Sequence, residues 1–172
     1  MIELNTERLL VREFDTNDAE FILELLNQPS FIQFIGDKGV RSVDDARNYI
    51  TTGPIESYQR HGFGLFLVEL KDRKVPIGMC GVLKRESLPD PDLGFAFLPE
   101  YWGKGYAFEA ASAALDQARD FFKLARILAI TNPDNDASIK LLATLGFQFE
   151  RVMKLSTDSD EVKLFSLMFE PS

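Results

Sequence analysis

The stretch Asp92–Ala107 reads DLGFAFLPEYWGKGYA, an apolar run, a stop and a glycine turn in quick succession. Leu93-Gly94-Phe95-Ala96-Phe97-Leu98 has the make-up of a buried strand, and Pro99 ends it. Trp102-Gly103-Lys104-Gly105-Tyr106-Ala107 then turns the chain into an alanine-rich helical pattern. A strand, a glycine-rich turn and a helix start in that order can hold an anion, because unpaired N–H groups and the positive end of the helix dipole point outward there. Glycines let the backbone approach a phosphate closely. The run is too short for a nucleotide P-loop and lacks its Ser/Thr, and Gly103-Lys104-Gly105 has no third glycine to complete a dinucleotide fingerprint. Taken alone, a lone G-x-G also fits a plain strand-to-helix turn.

Upstream of this stretch, Leu9 to Phe14 alternates as a strand. Asn17 with Glu20 forms a capping-box pattern ahead of a helix carrying Ala19, Ile22, Leu25 and Leu26, which Pro29 ends. Phe31, Ile32, Phe34 and Ile35 show no clear period and read as a loop, either packed on the core or, as the resemblance given below implies, lining a substrate pocket. Ser42 with Asp45 repeats the capping box for a helix through Ala46, Tyr49 and Ile50. Gly53-Pro54 is expected to break or kink that helix, and a further turn ends at His61-Gly62. Phe63 to Leu70 and Val75 to Leu83, joined by Lys71-Asp72-Arg73-Lys74, form a hairpin of central strands. Cys80 in the second strand reads as core.

Downstream, Ala107, Ala110, Ala111, Ala114, Ala118 and Phe121 make a helical stripe, with Glu109 off it. Arg126 to Thr131 is a strand, and Asn132-Pro133-Asp134-Asn135 is a turn. Asn135 caps a helix that buries Ile139, Leu142 and Leu145 and stops at Gly146. Phe147 to Leu155 and Val162 to Phe169 close the chain as an antiparallel hairpin. The order β-α-α-β-β-β-α-β-α-β-β is a mixed α+β pattern, without repeat or linker, expected to form a single domain over residues 1–172.

Composition narrows the function classes. The chain has 172 residues, 45% apolar, enough for one domain with a sizeable core. Its net charge, 19 − 27 = −8, argues against nucleic acid or acidic membranes as partners and suits a cationic acceptor such as an amine. One cysteine and one histidine exclude an internal disulfide and a Cys- or His-rich metal site. No membrane-length apolar run or signal pattern is present, so the cytoplasm is the simplest compartment.

Glu100-Tyr101-Trp102-Gly103-Lys104-Gly105 resembles the [QR]-x-x-G-x-[GA] pyrophosphate loop of the GNAT superfamily of N-acetyltransferases. Tyr101 to Ala107, together with Asn5 to Arg12 and Asn135-Asp136-Ala137-Ser138 ahead of Leu145-Gly146-Phe147, is similar to the branch of ribosomal-protein N-terminal alanine acetyltransferases. The chain departs from the pattern at Glu100, where the family has Gln or Arg. The resemblance implies a mainly antiparallel sheet flanked by helices, splayed open beside the loop. It implies that coenzyme A is held by Phe95, Phe97, Leu98, Trp102, Gly103, Lys104, Gly105, Tyr106, Ala107, Asn135 and Ser138. The implied reaction is direct acetyl transfer from acetyl-CoA to an amine, with no metal. Many members carry a tyrosine where this chain has Leu142; in the similar branch a serine at the Ser138 position is thought to protonate the leaving thiolate instead. Ser138 also fits a helix-capping role. Asp92 or Glu69, acting through water, are the candidate bases. A catalytically silent acyl-CoA sensor on the same fold is the alternative reading. Acceptor and oligomeric state stay open.

Overall fold

In the computed structural model, which describes residues 2–170, the chain begins with a small hairpin of β1 (Glu3–Asn5) and β2 (Leu9–Arg12). The sequence signalled only the second of these strands, and β2 stops at Arg12 rather than Phe14. The capping box lies two residues earlier than expected. Asp15, in extended conformation, accepts from Asn17 N–H, and the Asp18 side chain reaches back to Asp15 N–H. A short turn then leads into α1 (Ala19–Leu26).

Pro29 does not merely end α1; it opens a second helix, α2 (Pro29–Phe34), where its fixed φ suits the first helical position. Ser42 caps α3 (Val43–Ile50) by accepting from Asp45 N–H, while the Asp45 carboxylate takes the N–H of Arg41. Of the break or kink expected at Gly53-Pro54, the break is absent and the helix is instead irregular there. The chain stays helical through a wide turn, Thr51–Ile55, into α4 (Glu56–His61), because a locally widened helix absorbs the proline ring. Gly62, at φ 79°, ends it.

The predicted hairpin is β3 (Leu65–Leu70) against β4 (Val75–Leu83), and β4 pairs antiparallel with β5 (Asp92–Phe97). Helix α5 (Tyr106–Asp120), strand β6 (Arg126–Thr131), helix α6 (Asp136–Leu145) and the hairpin β7 (Gln148–Lys154) and β8 (Glu161–Met168) follow. The sheet has the order β1-β2-β3-β4-β5-β6-β8-β7. Its one parallel contact is β5 with β6, registered only where Asp92 faces Leu128. Beyond that pair the two strands part.

Two apolar layers enclose the sheet. Ala110, Ala111, Ala114 and Ala118 of α5 press on Leu9, Val11, Phe66, Val68 and Cys80. Alanine at these positions lets the helix axis lie close to the strands. On the other face α1 to α3 pack Ile22, Leu26, Ala46 and Ile50 on Leu65, Leu67 and Met79. Cys80 is fully buried, and burial pushes its thiol up to about 12, so it is core and not a nucleophile. Glycine is required where β4 is crowded: a Cβ on Gly81 would lie 2.2 Å from the Gly64 carbonyl oxygen.

Candidate active site

Where β5 and β6 part, a cavity of about 550 Å³ opens between α2, the end of β5, the glycine turn and the starts of α5 and α6. Phe31, Phe34 and Ile35 form one wall, and Phe95, Ala96 and Phe97 the floor. Trp102, Gly103, Gly105, Tyr106 and Ala107 form the loop side; Asn135 and Ser138 close it from α6.

The β5 edge is prepared for a ligand. Leu98 N–H donates to the Ile77 carbonyl on β4. In an antiparallel ladder alternate residues turn their groups to opposite sides, so Phe95 and Phe97 turn theirs away from β4, toward the gap. The Phe97 carbonyl accepts from the Trp102 indole N–H at 2.9 Å, which ties the glycine turn to the strand end. Phe95 and the Phe97 N–H are left to meet a bound chain. At the far side, at the end of β6, the buried Thr131 Oγ1 has no hydrogen-bond partner among the described residues.

The turn has the backbone an anion site needs. Gly103 at φ 74° and Gly105 at φ 82° are left-handed, and Gly105 is the residue from which α5 starts. The first-turn N–H groups of a fifteen-residue helix therefore face the cavity mouth. We expect Gly105→Ala to weaken binding of a pyrophosphate ligand about tenfold, since forcing an L-residue left-handed costs roughly 1–2 kcal/mol. Calorimetric titration checks this, and unchanged affinity would remove the turn from the site. Valine would be a poorer probe than alanine, because a β-branched residue at this φ strains the fold as well.

At the α6 start, Asn135 Oδ1 accepts from Ser138 N–H at 3.3 Å, so Asn135 is the cap. The Ser138 hydroxyl has no such task, and no hydrogen bond of it to another described residue is present; it faces the cavity. Leu142 is fully buried and Leu141 lines the cavity; neither can donate a proton.

Four sequence-predicted residues fall outside the cavity lining. Leu98 is buried in the α1–α3 layer with its N–H committed to Ile77. Lys104 turns its carbonyl to Arg8 and its ammonium toward the Tyr101 ring, 6.0 Å from the centroid. Glu69 stands 3.5 Å from the Arg12 guanidinium, itself bound to Asp18. Asp92 is fully buried and paired with Arg85 at 3.1 Å; burial pushes its carboxyl up, and the Arg85 charge and hydrogen bond pull against that. Neither carboxylate lines the cavity, so a base role for either rests on an intervening water. Sequence reading missed Tyr101, Phe108, Asp134, Asp136 and Leu141 as lining residues. Tyr101 had a signal as part of the quoted loop, and Asp134 and Asp136 had one by flanking Asn135. His61 is exposed and stacks on Phe63, away from the cavity. No group of three His, Cys, Asp or Glu placed to hold a metal ion occurs among the described residues.

Comparison with known proteins agrees with this arrangement. Residues 8–148 match the acetyltransferase (GNAT) domain family. An uncharacterised N-acetyltransferase, YoaA, of Bacillus subtilis is 29% identical over 152 residues, covering 88% of this chain and 85% of its own. A ribosomal-protein-alanine acetyltransferase from Vibrio fischeri superposes with a TM-score of 0.81 at 22% identity, over 98% of this chain and 97% of the other. A ribosomal-protein α-N-acetyltransferase solved with coenzyme A superposes with a TM-score of 0.83 at 18% identity, over 97% and 98%.

Proposed function

This chain belongs to the acetyltransferase (GNAT) family, and from that premise we propose that it moves an acetyl group from acetyl-CoA directly to a primary amine, either a protein N-terminal α-amine or that of a small molecule. The family makes it an acetyl-CoA-dependent N-acetyltransferase; the acceptor and the residue roles are our reading.

The observation that carries the reading is the gap itself. An edge of β5 freed of its neighbour leads, through one tight turn at Pro99–Tyr101, into a left-handed glycine turn at a helix start. The residues present fit the ligand. The turn offers backbone N–H groups for a pyrophosphate, and Phe95 and Phe97 offer strand groups for the amide-rich arm, as in strand addition. The cavity wall from Phe31 to Ile35 is left for the acceptor. The amine nitrogen adds to the thioester carbonyl, the C–S bond breaks, and sulfur leaves as thiolate. Ser138 is our candidate to donate to that sulfur, and a β5 backbone N–H to the developing oxyanion.

The acceptor loses a proton on the way. The cavity carboxylates, Asp134 and Asp136, are both exposed. An α-amine of pKa about 8 is neutral in roughly a tenth of molecules at pH 7, so water can take its proton; a lysine amine near 10.4 is far less available. That favours an α-amine or another weakly basic amine. Among the described residues no helix is long and apolar enough to cross a membrane, and a cytoplasmic location is part of the proposal.

Thiol release measured over a panel of amines, with acetyl-CoA binding followed by calorimetry, tests the proposal. We expect steady turnover with at least one α-amine. Binding without turnover on any amine would turn the reading to an acyl-CoA sensor; no binding would overturn it.

A further inference from the structure

One ion-pair network outside the cavity bears on the glycine turn. Arg8, on the turn between β1 and β2, reaches across to the start of α5. Its Nε donates to Glu109 Oε1 at 2.7 Å, and its NH1 donates to the Lys104 carbonyl at 2.9 Å. Its guanidinium carbon lies 4.4 Å from the centroid of the Tyr106 ring. Glu109 is fixed in turn: its Oε2 accepts from the Arg8 backbone N–H at 2.9 Å and from the Thr6 hydroxyl. Partial burial pushes the Glu109 carboxyl up, but the hydrogen bonds from Thr6 and Arg8 outweigh it and hold it below its ordinary range.

An ion pair with Arg8 two-fifths exposed adds little to stability. Its consequence is directional. In a trans peptide the C=O and the following N–H point opposite ways. Holding the Lys104 carbonyl outward therefore turns the Gly105 N–H the other way, toward the cavity mouth. The remaining terminal nitrogen, NH2, sits against the turn: a Cβ on Gly105 would come within 3.2 Å of it. Glu100, where the resembled loop carries Gln or Arg, brings a negative charge to this turn. Arg8 places a positive one on the same turn from another part of the chain.

We propose that Arg8 is a positioning residue for acetyl-CoA binding, locking the Lys104–Gly105 peptide with its N–H toward the pyrophosphate. This rests on the acetyl-CoA reading above. Lysine cannot replace it, since one ammonium cannot hold Glu109 and the Lys104 carbonyl in the fixed fork that a guanidinium provides.

The test compares wild type, Arg8→Ala and Arg8→Lys with two thioesters: acetyl-CoA, and S-acetylpantetheine, which has no pyrophosphate. For Arg8→Ala we expect acetyl-CoA affinity about tenfold weaker and kcat within about twofold. The rate with S-acetylpantetheine should stay at the wild-type level. Arg8→Lys should fall between, and it decides the matter if Arg8→Ala does not fold. Unchanged acetyl-CoA affinity in both variants, or an equal loss with both thioesters, would overturn the proposal. A wild type that binds no acetyl-CoA would instead overturn the proposed function.

Discussion

Ser138→Ala is expected to lower turnover by about a hundredfold while leaving acetyl-CoA affinity nearly unchanged. The reason lies in what the α6 start already has. Asn135 caps the first turn, so the Ser138 hydroxyl is not needed for the helix and remains available at the cavity. A thiol leaving group of pKa about 8.5 departs more readily if its developing charge meets a donor. That donor acts in the transition state and does little for the bound ground state, so the loss falls on kcat. Leu141 and Leu142 offer no substitute. The check is steady-state turnover with a good amine, paired with calorimetric affinity for acetyl-CoA. Equal turnover would remove Ser138 from the mechanism, and a parallel loss of melting temperature would mark it as a second cap.

The glycine turn was legible because its chemistry is local: Gly103 and Gly105 are glycines for the sake of a backbone conformation. The β3–β4 hairpin was legible for the same reason, two apolar runs about a charged turn. Helix α2 was not. Of its apolar residues only Phe31 is buried, and Ile32 is 38% exposed, because this helix is a cavity wall and has no apolar stripe to show. Strand β7 was read correctly with β8 as a closing hairpin, although it is exposed along almost its whole length. Leu98 and Lys104 were assigned to the cofactor by the resemblance; that their side chains lie outside the cavity lining was not legible, because it depends on which neighbour takes each backbone group. Arg8 lies in a stretch that carried the resemblance, yet nothing local pointed to its contact, because its partner Lys104 lies 96 positions away.

Asp92 shows the same limit in electrostatic form, and its pair with Arg85 yields the largest stability effect expected. Asp92 is fully buried, while the Arg85 side chain is 36% exposed. Removing either partner breaks the same bond, yet the results should differ. Without Asp92, Arg85 can turn to water, which also relieves Lys38, the like charge that feels it from the loop between α2 and α3. Without Arg85, a carboxylate is left in the core with only Lys84 nearby to offset its charge. Leaving a buried charge unpaired costs about 3 kcal/mol or more, roughly 6–12 °C in melting temperature for a chain this size. Arg85→Ala is therefore expected to be strongly destabilised at neutral pH and Asp92→Asn only mildly. The pH dependence follows from the sign. The Asp92 carboxyl already lies above its ordinary value because of burial, and loss of Arg85 raises it further. A carboxyl whose folded pKa is raised penalises the fold above that pKa and ceases to do so once protonated. The deficit of Arg85→Ala relative to wild type should thus shrink as pH is lowered from neutral through the raised pKa of the variant's Asp92. Thermal melts of both variants across that range measure it. A deficit that stays constant with pH, or equal losses in the two variants, would contradict the assignment of Asp92 as a buried charge held by Arg85 and return it to the list of candidate bases.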